Sequence, residues 1–165
     1  IARALGRDAG VAVIDLDDRT MALLGHATVA EAFRTAGEPA FRAAEARALR
    51  AVIDGCVGPC VVALGGGTPI APGAREMLGA WARRGGAVIV YLHADPASLR
   101  ARLREGDASR PSLTGAGMLE EIEAVYAARD PIYRACAHAV VDATAPTEAV
   151  AESLQRVWRD QAARE

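Results

Sequence analysis

The chain has 165 residues, 52% of them apolar, and a formal net charge of −2. That is enough apolar material to bury one core, which predicts a single domain over residues 1–165. The near-neutral balance and the scatter of the arginines argue against nucleic acid or an anionic membrane as the main partner.

In chain order, Ile1–Leu5 reads as the tail of a helix, and Val11–Asp15 as an apolar strand. Thr28 with Glu31 has the spacing of a capping box and predicts a helix start. A further helix is expected from near Glu38, carrying Arg42 and Glu45. Val61–Leu64 reads as a buried parallel strand that runs straight into Gly65, Gly66 and Gly67. Ala87–Leu92 and Ala139–Asp142 are two more short apolar runs bounded by turn residues. Asp95-Pro96 and Asp130-Pro131 each fit an N-cap followed by a proline in the first helical position. From about Thr147, Val150, Leu154, Val157 and Trp158 share one helical face. Strands alternating with helices predict an α/β fold with a parallel sheet. Residues 106–117, rich in Gly, Ser and Thr around Arg110-Pro111, have the composition of a mobile loop.

No apolar run approaches the roughly 20 residues of a membrane span, and no leader with a basic flank is evident, so a cytoplasmic protein is expected. Cys56, Cys60 and Cys136 lack zinc-like spacing and read as small buried thiols. His26, His93 and His138 form no cluster and receive no function.

Candidate chemistry gathers at strand ends, where open α/β sheets bind ligands. Three glycines after a buried strand let a ligand lie directly against peptide groups. Asp15 and Asp17 sit at the end of the first strand, two positions apart, so extended backbone would aim both carboxylates at the same edge. One metal-facing and one proton-accepting role suit such a pair, and so does the plainer role of capping the next helix through Asp17 or Asp18. Arg42, three residues before Glu45, has the spacing of a solvated helix pair. Arg110 and Arg129 stand at junctions between loop and helix, where a planar guanidinium can grip a carboxylate or phosphate with two bonds.

These segments together resemble shikimate kinase: Asp15-Leu16-Asp17, Gly37-Glu38 with Phe41-Arg42 and Glu45, Leu64 followed by Gly65-Gly66-Gly67, Val90-Tyr91-Leu92, Arg110-Pro111 with Leu113, and Arg129 with Pro131 and Tyr133. The match runs nearly end to end, and the order and spacing of the motifs are more specific than any one alone. The resemblance implies a three-layer fold like that of the P-loop nucleoside-monophosphate kinases, a parallel sheet flanked by helices. It implies transfer of the γ-phosphate of ATP to the 3-hydroxyl of shikimate with Mg²⁺, in aromatic amino acid biosynthesis. By position, Asp15 resembles the metal-side aspartate and Asp17 the carboxylate that binds the substrate hydroxyl and takes its proton. Arg42 and Arg129 resemble the clamp on the shikimate carboxylate, with Gly65, Gly66 and Gly67 bordering the ring. Arg110 resembles the lid arginine that meets the phosphates, the lid being about residues 106–117, and Arg102 is a further candidate for stacking on adenine.

The departure from the family pattern lies at the front. Ile1-Ala2-Arg3-Ala4-Leu5 resembles the helix that leaves the phosphate-binding loop, so the first strand and the loop with its lysine are expected to be missing from this chain. All 19 basic residues are arginines, so nothing here can replace that lysine. The expectation is a fragmentary record of a monomeric kinase, inactive as it stands and with its sheet lacking a central strand. The alternative is a shikimate-binding pseudokinase or sensor without catalysis. Another small-molecule kinase of the same fold, such as a gluconate kinase, is opposed by the triple glycine with Arg42 and Arg129, a pair that implies a carboxylated ring substrate.

Overall fold

A computed structural model of the chain describes residues 1–105 and 118–163. Four short parallel strands alternate with helices. Helix α1 (Ala2–Ala9) runs longer than the sequence suggested and ends at Gly10, whose φ of 68° is left-handed. Strand β1 (Ala12–Asp15) leads directly into α2 (Leu16–Leu24). Helix α3 (Val29–Gly55) is broken at Gly37, which takes φ 79° and ψ 164°, so a new helical segment starts near Glu38 with Pro39 in its first turn. Strand β2 (Cys60–Ala63) is followed by the triple glycine and a short 3₁₀ turn, Thr68–Ile70. Next come α4 (Ala74–Arg83), β3 (Val90–His93), α5 (Pro96–Glu105), α6 (Met118–Cys136), β4 (Ala139–Asp142) and α7 (Thr147–Ala162).

The capping chemistry is visible at two of the expected starts. Glu31 N–H donates to Thr28 Oγ1 at 3.1 Å, and the Glu31 carboxylate reaches back to Ala27 N–H at 3.2 Å. Asp95 accepts from the backbone N–H of Ala97 and Ser98 at 2.9 and 3.0 Å, with Pro96 opening α5.

The third start is a correction. Helix α6 runs straight through Asp130-Pro131. Pro131 has no N–H to give the Ala127 carbonyl, and its ring disfavours helix at Asp130, a local penalty of roughly 3 kcal/mol. Tertiary bonding overrides it. The Asp130 carboxylate caps nothing and instead takes bonds from Tyr91 on β3 and from Arg134 one turn on.

The third strand also differs from expectation, starting at Val90 rather than Ala87. Just before it, the Ile89 carbonyl accepts from His138 N–H at 2.8 Å while Ile89 N–H donates to His138 Nδ1 at 3.2 Å, so a side chain replaces the next ladder bond.

Strand β1 pairs with β2 and β3 pairs with β4, all parallel, with Asp15 opposite Ala63 and His93 opposite Asp142. Among the described residues no backbone ladder joins the two pairs.

Helices cover both faces. Leu16, Leu49, Val52 and Leu78 form a core against Ile14 and Val62, while Leu5, Val141, Val150 and Leu154 form a second against Val61 and Val90. Adjacent Val61 and Val62 thus serve opposite layers, as the period of two requires. No described helix is long and apolar enough to cross a membrane.

Helix α1 lies so close to β1 that a Cβ at Gly6 would overlap a Val13 methyl and stand 3.2 Å from the Val11 carbonyl. Gly6→Ala is expected to lower stability by about 1–3 kcal/mol in urea unfolding, despite the better helix propensity of alanine.

Candidate active site

The site forms where the carboxyl ends of β1 and β2 meet α3 and α6. Its centre is Glu45, fully buried on α3. The Glu45 carboxylate accepts from Thr68 Oγ1 at 2.7 Å and from Arg42 Nη1 at 2.8 Å. A buried carboxylate is tolerable only when bonded on both oxygens, and these two donors meet that condition.

Arg42 is fixed on every side. Its Nε and Nη2 donate to Glu38 Oε1 at 3.2 and 3.1 Å, and its guanidinium carbon lies 5.4 and 5.5 Å from the Phe33 and Phe41 ring centroids. The solvated helix pair expected from spacing is therefore a packed ion pair with the arginine side chain 12% exposed. Three of the five guanidinium N–H groups are engaged in these bonds, and among the described residues one on each terminal nitrogen has no acceptor.

The triple glycine threads between these groups. A Cβ at Gly65 would stand 2.7 Å from Asp17 Oδ1 and 3.2 Å from Glu45 Oε1, and one at Gly67 would overlap the Arg42 guanidinium. Neither glycine has positive φ, so close approach rather than turn geometry demands them. Gly66 differs, since its Cβ would make only an ordinary 3.6 Å contact with the Tyr133 hydroxyl. The Gly66 carbonyl accepts from Arg129 Nη1 at 3.4 Å and from the Tyr133 hydroxyl.

The structure thus brings Asp17, Arg42, Gly65, Gly66, Gly67 and Arg129 together, from four separate segments. Asp15 adjoins them at the end of β1, but the alternation argument for its pairing with Asp17 does not hold. Asp17 lies in the first turn of α2, and Asp15 is the N-cap, its Oδ1 accepting Asp17 N–H at 3.0 Å. Capping therefore falls to Asp15 rather than to Asp17 or Asp18. Arg102 lies apart, donating to the Ala143 carbonyl beyond β4. Arg110 and the expected lid at 106–117 lie outside the described residues.

Behind Arg129 stands a network that the sequence did not signal. Tyr91 donates to Asp130 Oδ1 at 3.1 Å, Arg134 Nε donates to Asp130 Oδ2 at 2.8 Å, and His93 Nε2 lies 2.8 Å from the Tyr126 hydroxyl. The Tyr91 ring packs against Tyr133 and His93 at centroid distances of 5.1 and 5.6 Å. The bond from Arg134, helped by that from Tyr91 and by the electrostatic influence of Arg134 and His93, holds the Asp130 carboxyl below the usual carboxylate range. Burial, and then Asp130, push the Tyr91 hydroxyl above its ordinary range, keeping it a neutral donor. A residue-type spacing rule would have found only the Asp130–Arg134 pair, one helical turn apart.

Comparison with known proteins decides the family. The family profile described as shikimate kinase matches residues 1–159. The chain belongs to the shikimate kinase family. Shikimate kinase 2 of Sodalis glossinidius is 39% identical over 156 residues, covering 93% of this chain and 84% of that protein. Shikimate kinase 2 of Pectobacterium atrosepticum is 36% identical over 165 residues, covering 99% of this chain and 88% of that protein. Among solved structures, the shikimate kinase of Bacteroides thetaiotaomicron superposes with a TM-score of 0.78 at 27% identity, over 95% of this chain and 89% of that one. The shikimate kinase of Acinetobacter baumannii, solved in complex with shikimate, superposes with a TM-score of 0.79 at 24% identity, over 99% and 86% of the two chains. The fold is therefore that of the shikimate kinases.

Because folding lowers the Asp130 pKa, the stabilisation it carries is present above the unfolded carboxylate value near 4 and is lost as pH falls through the depressed value. Asp130→Asn is expected to be less stable than the parent at pH 7, with the gap closing under acid conditions. Urea midpoints of both proteins across a pH series check this.

Proposed function

We propose that this chain holds the acceptor site of an ATP-dependent shikimate kinase at the ends of β1 and β2. The observation that carries the reading is the convergence of Arg42 and Arg129, from α3 and α6, on the adjacent Gly66 and Gly67, with Asp17 beside Gly65. The two N–H groups left on Arg42 face a demand that a carboxylate meets, and Arg129 supplies a second fork across the glycines. Family membership and the relatives' names agree with an acceptor of that kind.

In this reading shikimate lies on the peptide groups of Gly65, Gly66 and Gly67 with its carboxylate between the two arginines. Asp17 orients the 3-hydroxyl and takes its proton as the oxygen attacks the γ-phosphorus of ATP. Asp15 suits Mg²⁺, because it is an exposed carboxylate, the hard oxygen donor that this ion accepts while keeping several waters. Among the described residues no group of three His, Cys, Asp or Glu forms an all-protein metal cage, which is the usual case for an ion shared with nucleotide phosphates. When bound, the ion neutralises phosphate charge. Arg110 and Arg102 are proposed to serve the nucleotide side.

A second reading rests on one specific observation, the absence of lysine from all 165 residues. Phosphate cradles of this class use a lysine beside backbone N–H groups, and several such donors acting together are worth far more than the roughly 10²–10³ in rate of one. The 165-residue polypeptide by itself would then hold shikimate without turning over ATP. The purified chain is expected to give no turnover above the blank in a coupled ADP assay. Clear turnover would remove this second reading, and failure to bind shikimate in calorimetry would remove both.

Affinity separates the site residues. Among the described residues Arg129 makes one long bond, to a carbonyl, so Arg129→Lys is expected to leave stability near the parent's while costing about 2–5 kcal/mol of shikimate binding. Gly66→Ala has room for its methyl in the free protein and is expected to fold normally yet bind shikimate at least tenfold more weakly. Titration calorimetry beside urea unfolding reads both, and unchanged affinity in both variants would move the acceptor site elsewhere.

A further inference from the structure

At the opposite end of β2 from this site, two cysteines expected to be small buried thiols meet at the junction of α3 and β2. Cys56 is the C-cap of α3 and Cys60 opens β2, and their Sγ atoms lie 3.4 Å apart. Both are partly exposed and reduced, whereas Cys136 lies apart from them on α6. We propose that Cys56 and Cys60 form a dithiol site that closes to an intrachain disulfide when a hydroperoxide oxidises it.

The geometry favours closure. A disulfide needs its sulfurs at about 2.05 Å, so they must approach by roughly 1.4 Å from the observed 3.4 Å. The connecting residues can supply that movement. Val57 is 99% exposed, and Gly55 and Gly58 have nothing within 4 Å of where a Cβ would stand. The bridge would close only over Val57, Gly58 and Pro59. Cys60 is held by its ladder register opposite Ala12, so the Cys56 side moves.

The two sulfurs take different roles. Burial, reinforced by the neighbouring Cys56, pushes the Cys60 thiol up to about 11, which keeps its proton in place at neutral pH. Cys56, on the side free to move, is assigned as the sulfur that attacks the peroxide. Its S–H and one molecule of hydrogen peroxide give a sulfenic acid and one water. The Cys60 sulfur then attacks the sulfenic sulfur, the S–S bond forms, and the sulfenic oxygen leaves as a second water with the Cys60 proton. Two thiols lose two electrons and two protons, and the peroxide O–O bond is reduced to two waters. A helix C-terminus does nothing to stabilise a thiolate, so the reaction is slow compared with dedicated peroxide sensors.

The test uses the reduced 165-residue chain, treated with hydrogen peroxide, quenched with catalase, denatured and alkylated with iodoacetamide. The expected product has lost two hydrogens, carries a single alkyl group on Cys136, yields a Cys56–Cys60 linked peptide on digestion, and returns to three alkylated cysteines after dithiothreitol. A second measurement needs no oxidant. Phenylarsine oxide should bind one per chain, bridging both sulfurs with loss of one water, and Cys56→Ser or Cys60→Ser should weaken it at least 100-fold while Cys136→Ser does not. Oxidation that stops at sulfinic or sulfonic acid on either cysteine, or that links separate chains through them, overturns the proposal. So does arsenical binding that is indifferent to Cys56 and Cys60.

Discussion

The buried Glu45 carboxylate is the constraint around which the candidate site is built. Taking a carboxylate out of water costs several kcal/mol unless both oxygens are bonded, and removing one partner of such a pair typically costs about 3–5 kcal/mol. The partners come from different places. Thr68 arrives from the turn after β2 and Arg42 from one turn earlier on α3. Satisfying Glu45 therefore fixes the glycine segment against α3, and it fixes the plane of the Arg42 guanidinium. Gly65 and Gly67 follow as consequences, because the strand end must pass between Asp17, Glu45 and Arg42 with no room for a side chain.

Gly66 belongs to a different constraint, one set by α6. Its carbonyl is gripped by Tyr133 and Arg129, which lie one turn apart on that helix. The helix is seated in turn by Asp130, tied to Tyr91 on β3, and by the Tyr91–Tyr133 ring contact. This explains why a proline survives within the helix. The local cost of Pro131 is offset by neighbours on both sides, Asp130 and Tyr133, that hold the helix to the sheet and the glycine segment. The two constraints meet at consecutive glycines, so arginines from separate helices face one short stretch of backbone.

What could be read from sequence follows the range of each interaction. Most strand positions, the helix start near Glu38 and the caps at Thr28 and Asp95 are encoded within a few residues, and the sequence pattern carried them, whereas the start of β3 depends on His138. Asp130-Pro131 carried the same local signal as Asp95-Pro96, and only the distant Tyr91 separates a proline inside a helix from one at its start. Arg42 and Glu45 were legible as a motif but not as a buried pair, since three-residue spacing looks the same on a solvated face and against a glycine turn. The capping role of Asp15 was hidden because the helix begins directly at Leu16, before the Asp17 or Asp18 cap that the sequence offered. His93, Tyr126 and Tyr91 come together only once β3 and α6 are packed.

The all-arginine basic set accords with this arrangement. A lysine in place of Arg42 would offer three donors around a single nitrogen, and it could not meet Glu38 and Glu45 in one plane while keeping donors for a ligand. The guanidinium divides its five N–H groups, three inward to the two glutamates and two with no acceptor among the described residues. Its internal bonds therefore do more than stabilise the fold. They hold the remaining donors in a fixed orientation beside Gly67 before any ligand arrives, so binding there does not have to order a long side chain first.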